Sequence, residues 1–113
     1  MLRLVIQGWE VYGSPFDGDK FDWVVNTGTR LLRLQVKSTS KQSSGSPFIR
    51  LRCSNGRASR KYRDGEFDFI VGYDFYSDTA YVWSWAEVKG KTSISVALDA
   101  AERWDKISGS TPE

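Results

Sequence analysis

The run Phe21-Asp22-Trp23-Val24-Val25-Asn26-Thr27-Gly28-Thr29-Arg30-Leu31-Leu32-Arg33-Leu34-Gln35-Val36-Lys37 carries the decisive pattern of this chain. Side chains alternate along a strand, so residues 30–37 split into an apolar face of Leu32, Leu34 and Val36 and a polar face of Arg33, Gln35 and Lys37. Residues 20–25 read as the partner strand, with Asn26-Thr27-Gly28-Thr29 as a four-residue hairpin connection. Pairing Val25 with Arg30 sets Trp23 opposite Leu32, Phe21 opposite Leu34, and Asp22 opposite Arg33 and diagonal to Gln35. Both strands then agree on one apolar and one polar face, and a slip by one residue would mix them.

An acid, an amide oxygen and a lysine on one polar face suit metal-assisted attack on a phosphodiester. Asp22 can ligate Mg²⁺ through one carboxylate oxygen, Gln35 through its side-chain oxygen and Val36 through its backbone carbonyl. Lys37 can align or help activate the attacking water and stabilise the negative charge that grows in the transition state. The same residues on an exposed strand face also suit an ordinary cross-strand ion pair, worth roughly 0–1 kcal/mol.

Charge around this run is lopsided. Residues 23–63 contain no Asp or Glu but hold ten of the 16 basic residues, and all 14 acidic residues lie outside that window. A polyanion is the natural partner for such a stretch, with phosphate contacts supplying affinity. The densest cluster is Arg57, Arg60, Lys61 and Arg63 around Tyr62, and Lys41 in the serine-rich 38–46 stretch adds a second patch. Arg33, Lys41, Arg57, Arg60, Lys61, Tyr62 and Arg63 are therefore the candidate DNA contacts. Solvated loops, a basic edge that blocks strand aggregation, and packing of Tyr62 in a small core account for the same residues without DNA.

The whole chain, 113 residues with 40% hydrophobic composition and 16 aromatic rings, fits a single domain over residues 1–113 with its own core. It contains no histidine and one cysteine, Cys53, which excludes Ser-His-Asp and Cys-His catalysis, histidine-held metals and an intrachain disulfide. Any catalysis rests on Asp, Glu, Lys, Arg, Tyr or a hard cation. No apolar run approaches the length of a membrane span, and the start is too soon polar for a signal peptide, so a cytoplasmic location with no membrane partner is expected.

Further strands are expected at residues 9–12, 47–53, 67–73 and 80–85. Ala97, Ala100, Ala101, Trp104 and Ile107 recur at helical spacing, which predicts a helix over about 96–107 stopped by Gly109. Residues 2–6 allow only the last turn of a helix before Gly8. The fold class is α/β (α+β): a mixed, mostly antiparallel sheet flanked by helices, with the first helix clipped.

The segments Phe21-Asp22-Trp23-Val24-Val25 and Leu31-Leu32-Arg33-Leu34-Gln35-Val36-Lys37 resemble the core of the PD-(D/E)XK nuclease superfamily. The Gln-Val-Lys form resembles the group that includes a cyanobacterial intron-encoded homing endonuclease. The likeness extends to Gly8-Trp9-Glu10-Val11, to Tyr62 through Glu66-Phe67-Asp68, and to Tyr81-Val82-Trp83. It implies a restriction-endonuclease-like core and metal-dependent cutting of double-stranded DNA, usually by a homo-oligomer. Asp22 is then the metal-binding acid, Gln35 stands where a second acid is usual, and Lys37 is the catalytic lysine, with Mg²⁺ as the cofactor and Mn²⁺ as a substitute. The same fold also supports junction-resolving nucleases and catalytically inactive DNA-binding or partner-binding relatives. Family members usually add a glutamate from a first helix, whereas no acidic residue precedes Glu10 here and Glu10 falls on a strand. The expectation is that a second polypeptide supplies that helix, that the site works weakly without it, or that the protein no longer cuts.

Overall fold

The computed structural model describes residues 7–13, 22–40, 47–54 and 59–109. Its main sheet has five strands in the order β1-β2-β3-β7-β8. β1 is Glu10–Gly13, β2 Trp23–Asn26, β3 Leu31–Ser38, β7 Phe69–Asp74 and β8 Thr79–Ser84. Neighbours run antiparallel except the central pair β3 and β7, which are parallel with Lys37 beside Gly72. A parallel pair needs a long crossover. That excursion carries β4 (Phe48–Arg50), β5 (Arg52–Ser54) and β6 (Ser59–Lys61). β5 pairs with β6, and β4 with β9 (Ser93–Ser95) beyond the main sheet.

The sheet buries both faces because β3, β7 and β8 alternate as the sequence pattern requires. Leu32, Leu34, Phe69, Val71, Ala80 and Val82 form one core with Val25, Trp104 and Ile107, and Trp9 packs edge-on against Trp104 at 6.4 Å. On the other face Ile70, Tyr81 and Trp83 meet Ile49, Leu51, Tyr62, Phe67 and Val88. The polar stripe of β3 runs along this second face. Gly72 permits the close packing there: a Cβ at this position would lie 2.9 Å from Ile49 Cγ2 and 3.1 Å from Trp83 Cζ3. A glycine inside an otherwise bulky strand marks such a close approach.

The apolar and polar faces of β3 are as expected, but the β2–β3 register is displaced by two residues. Trp23 pairs with Leu34, Val25 with Leu32 and Asn26 with Leu31. The connection is Thr27-Gly28-Thr29-Arg30, closed by Thr27 N–H donating to the Arg30 carbonyl (3.0 Å) and by Gly28 N–H donating to Asn26 Oδ1 (2.9 Å). Gly28 takes φ +99°, which an L side chain rarely adopts. Arg30 belongs to the turn because its guanidinium donates to the carbonyls of Lys106 (3.1 Å) and Ile107 (2.9 Å). A two-residue slip keeps every side chain on its face, so alternation alone does not select between the two registers.

Two other expectations give way to tertiary pairing. The strand over 47–53 breaks at Leu51, whose amide bonds to Thr92 and whose side chain is buried, and the halves on either side pair with different strands. The helix over 96–107 does not form. A short 3₁₀ turn, Leu98–Ala100, is followed by Ala101 bridging Tyr81 and by Glu102 at φ +52°, and only Asp105–Ser108 (α2) is helical before Gly109. The reason is the unpaired edge of β8. Glu102 N–H donates to the Ala80 carbonyl (2.7 Å) and its carboxylate accepts from the Ala80 amide (2.7 Å), covering groups a helix would leave bare. The other helix is a single turn, Trp85–Val88 (α1), with a capping box between Ser84 and Glu87. The helical remnant at 2–6 lies outside the described residues.

Candidate active site

The end of β3 is where strand pairing runs out on one side. Odd-numbered β3 residues aim their backbone at β7: the Arg33 carbonyl accepts from Asp68 N–H, and Thr39 N–H donates to Tyr73. Even-numbered residues aim at β2, which begins only at Trp23. Asp22, just ahead of it, donates its amide to the Leu34 carbonyl (2.8 Å), and its carboxylate takes the place of the missing strand. Oδ2 accepts the Val36 amide at 2.9 Å and Gln35 Nε2 at 3.2 Å. The displaced register thus sets Asp22 beside Gln35, where the expected pairing had put it opposite Arg33. The Val36 carbonyl points to the same side and lies 3.4 Å from Gln35 Nε2.

Asp22 is exposed and Gln35 and Lys37 are half-buried. The three donors expected at a cation, a carboxylate, a side-chain amide and a backbone carbonyl, therefore meet at one corner. All are hard oxygen donors of the kind Mg²⁺ prefers, and Gln35 offers Oε1 once its amide turns over. Among the described residues no group of three or more Asp, Glu, Cys or His side chains gathers. A cation at this corner relies on one carboxylate supported by neutral oxygens. Lys37 projects from the same face one pleat further along, with Nζ 5.6 Å from the centre of the Tyr62 ring.

The basic residues divide into two kinds. Lys61 and Arg63 are exposed at the end of the β5–β6 hairpin. Arg60 makes a two-pronged ion pair with Glu66 (2.8 and 2.9 Å), and Glu66 also accepts the Arg63 amide (2.6 Å). Arg33 is bound to Asp68 through Nε and Nη2 (both 3.3 Å) and donates to the Gly65 carbonyl. Asp68 thus pairs with Arg33. Tyr62 is 7% exposed and packs at right angles to Phe67 at 4.9 Å. Lys41 and Arg57 lie outside the described residues. Nearby, the Asp64 carboxyl is held below its usual value by hydrogen bonds from the Trp85 indole and Lys89 and by the Lys89 charge.

Sequence reasoning missed Glu66, Gly72 and the seat of Lys37 on Tyr62. The glycine carried a signal, since it interrupts a buried strand. The other two depend on contacts made only in the folded chain.

A sequence profile described as PD-(D/E)XK endonuclease matches residues 1–108. This chain belongs to the PD-(D/E)XK endonuclease family. Among solved structures, that of a bacterial homing endonuclease, I-Ssp6803I, superposes with a TM-score of 0.82 at 24% identity, covering 96% of this chain and 84% of the other. That likeness establishes the restriction-endonuclease-like fold. Protein 5.3 of Escherichia phage T7 is 28% identical over 89 residues, 79% of this chain and 74% of its own length. Among the described residues no helix is long and apolar enough to cross a membrane.

Proposed function

We propose that this PD-(D/E)XK endonuclease hydrolyses phosphodiester bonds of duplex DNA with Mg²⁺, or Mn²⁺ in its place, held by Asp22, Gln35 and the Val36 carbonyl. One observation carries the reading: the Asp22 carboxylate, the Gln35 amide and the Val36 backbone converge where β2 ends, with Lys37 on the same strand face. Bound there, the cation would polarise the phosphoryl oxygen and lower the pKa of its water. Asp22 anchors the site through the Val36 amide, so the carboxylate and the carbonyl keep a fixed relation to each other. Gln35 replaces a negative ligand with a neutral one, which lowers affinity for the cation until a phosphate oxygen joins the site. Lys37 orients the water and stabilises the charge on the pentacoordinate phosphorus.

Lys61 and Arg63, with Lys41 and Arg57, hold the DNA backbone, whereas Arg33 and Arg60 brace the turn at Gly65 and Glu66 that follows Arg63. The family's habit of cutting both strands, and the homing endonuclease of similar fold, favour a homo-oligomer or a second polypeptide at the site.

The test is cleavage of supercoiled and linear duplex DNA by purified protein with Mg²⁺ or Mn²⁺, beside Lys37→Ala and with EDTA. Metal-dependent cutting that disappears in both controls is expected. Cutting that survives Lys37→Ala would overturn the assignment. Binding without cutting would favour the non-catalytic reading, or a site that awaits its partner.

A further inference from the structure

The ammonium of Lys37 does not simply extend into solvent from β3. It lies over the ring of Tyr62, 5.6 Å from the centroid, within the range where a cation is attracted to the negative face of an aromatic ring. The ring is held in turn. Tyr62 is buried and stands at right angles to Phe67 (4.9 Å, 82°), and Phe67 at right angles to Trp85 (5.3 Å, 88°). The Trp85 indole N–H is fixed on Asp64 at 2.7 Å, and the Trp85 amide on the Asp68 carbonyl at 2.9 Å. Three rings at right angles thus tie the Lys37 side chain to the end of β6 and to the start of β7. A long lysine side chain has many rotamers, and a fixed ring face restricts them.

We propose that Tyr62 is the positioning residue for Lys37, its ring face holding the ammonium at the edge of the site formed by Asp22, Gln35 and Val36. The inference rests on the nuclease reading above for the task it gives Lys37, but the contact itself is independent of that reading. The useful property is the π face rather than the hydroxyl. Tyr62→Phe therefore keeps the function, whereas Tyr62→Leu, which retains bulk without a π face, loses it.

The experiment compares wild type, Tyr62→Phe, Tyr62→Leu and a series with fluorinated phenylalanines at position 62, which keep the ring's shape while draining its negative face. Two quantities are read. One is the NMR shift of the Lys37 ε-methylene, assigned by its loss in Lys37→Arg. The other is the single-turnover cleavage rate against DNA affinity. Expected are an upfield Lys37 signal in wild type and Tyr62→Phe that moves to the ordinary lysine position in Tyr62→Leu, and a rate within about twofold of wild type for Tyr62→Phe. The rate should fall stepwise with fluorination, to about 2- to 30-fold below Tyr62→Phe, at nearly constant DNA affinity. If Tyr62→Leu fails to fold, the fluorinated series decides alone.

An ordinary Lys37 shift in wild type overturns the contact whether or not the protein cuts DNA. A shifted signal in a protein that binds DNA without cutting it overturns the positioning role in this chain, while the contact stands. Rates that ignore fluorination, or that fall equally in Tyr62→Phe and Tyr62→Leu, overturn the role of the ring face.

Discussion

Two aspartates flank β3, and the sheet treats them alike up to the last step. Asp68, on the β7 side, accepts the Arg33 amide at 2.8 Å, and Asp22, on the β2 side, accepts the Val36 amide at 2.9 Å. Each carboxylate also receives a β3 side chain. For Asp68 that side chain is the Arg33 guanidinium, a cation, at side-chain exposures of 38% and 32%. For Asp22 it is the neutral Gln35 amide at 3.2 Å. The same anchor thus yields two products: a neutralised strut at the buried start of β7, and at the ragged end of β2 a negative charge whose donors among the described residues carry none of their own. Charge matching, rather than hydrogen-bond count, separates the scaffold from the candidate site.

Matched substitutions sharpen that contrast most. Asn retains an oxygen acceptor for the backbone amide while removing the charge. Asp22→Asn should reduce metal-dependent cleavage by about 100- to 1,000-fold, with stability changed by no more than roughly 0.5 kcal/mol. Asp68→Asn should leave the cleavage rate within a few-fold of wild type. Cleavage assays beside thermal melts read both, and equal loss of cutting in the two variants would break the comparison.

Next in size is the packing that brings the second face against the lysine. Gly72→Ala forces a methyl group into Ile49 Cγ2 and Trp83 beside Lys37, and overpacking of this kind costs typically about 1–3 kcal/mol. Chemical denaturation should show a lower midpoint with an unchanged slope. A Gly72→Ala protein as stable as wild type would show that β4 can shift freely over the sheet, and that the lysine's surroundings are looser than the geometry indicates.

Below that comes the strut itself. Asp68→Ala removes both the ion pair and the acceptor for the Arg33 amide. Because the pair is about a third exposed, solvent already screens much of its attraction. A loss of about 1–2 kcal/mol is expected, of which the hydrogen bonds to the strand form the larger share. A domain of this size then melts about 5–10 °C lower. If Asp68→Asn melts as low as Asp68→Ala, the charge rather than the backbone acceptor is the important part.

Alternation along β3 made the two faces of the sheet legible, and with them Leu32, Leu34 and the polar trio Arg33, Gln35 and Lys37, because a strand points successive side chains to opposite faces. The register was not legible, since a two-residue slip satisfies the same period and the choice is made by Arg30 reaching the distant carbonyls of Lys106 and Ile107. For the same reason the helical spacing of Ala97 to Ile107 misled. Ala100, Trp104 and Ile107 do turn inward, but Ala97 is exposed and the open edge of β8 takes up Ala101 and Glu102 as a strand-like patch. The candidate site residues were chosen by type and spacing. Their positions relative to one another came from pairing: Asp22 moved from Arg33 to Gln35, and Asp68 took Arg33.

A third carboxylate extends the comparison to pH. Glu87 sits between the two cases. Burial pushes its carboxyl up, but the Ser84 amide and the hydrogen bonds and charge of Lys106 outweigh that and hold it below its ordinary value of 4.5. Lys106 Nζ reaches both Glu87 oxygens at 3.1 and 3.2 Å and also donates to the Val82 carbonyl at 3.0 Å, joining α1 to α2 across the end of β8. A carboxylate whose folded pKa is depressed adds stability in full above its unfolded value and loses it as pH falls through the folded one. The wild type should therefore lose this share as pH drops below about 4.5, whereas Glu87→Gln, which has nothing to protonate, should show a shallower decline. With the Glu87 side chain 42% exposed, the difference is roughly 0.5 kcal/mol, readable as a divergence of the two denaturation midpoints between neutral and acid buffer. Parallel curves for the two proteins would mean that Lys106 is held by Val82 alone, and that Glu87, like Asp22, keeps its charge for water.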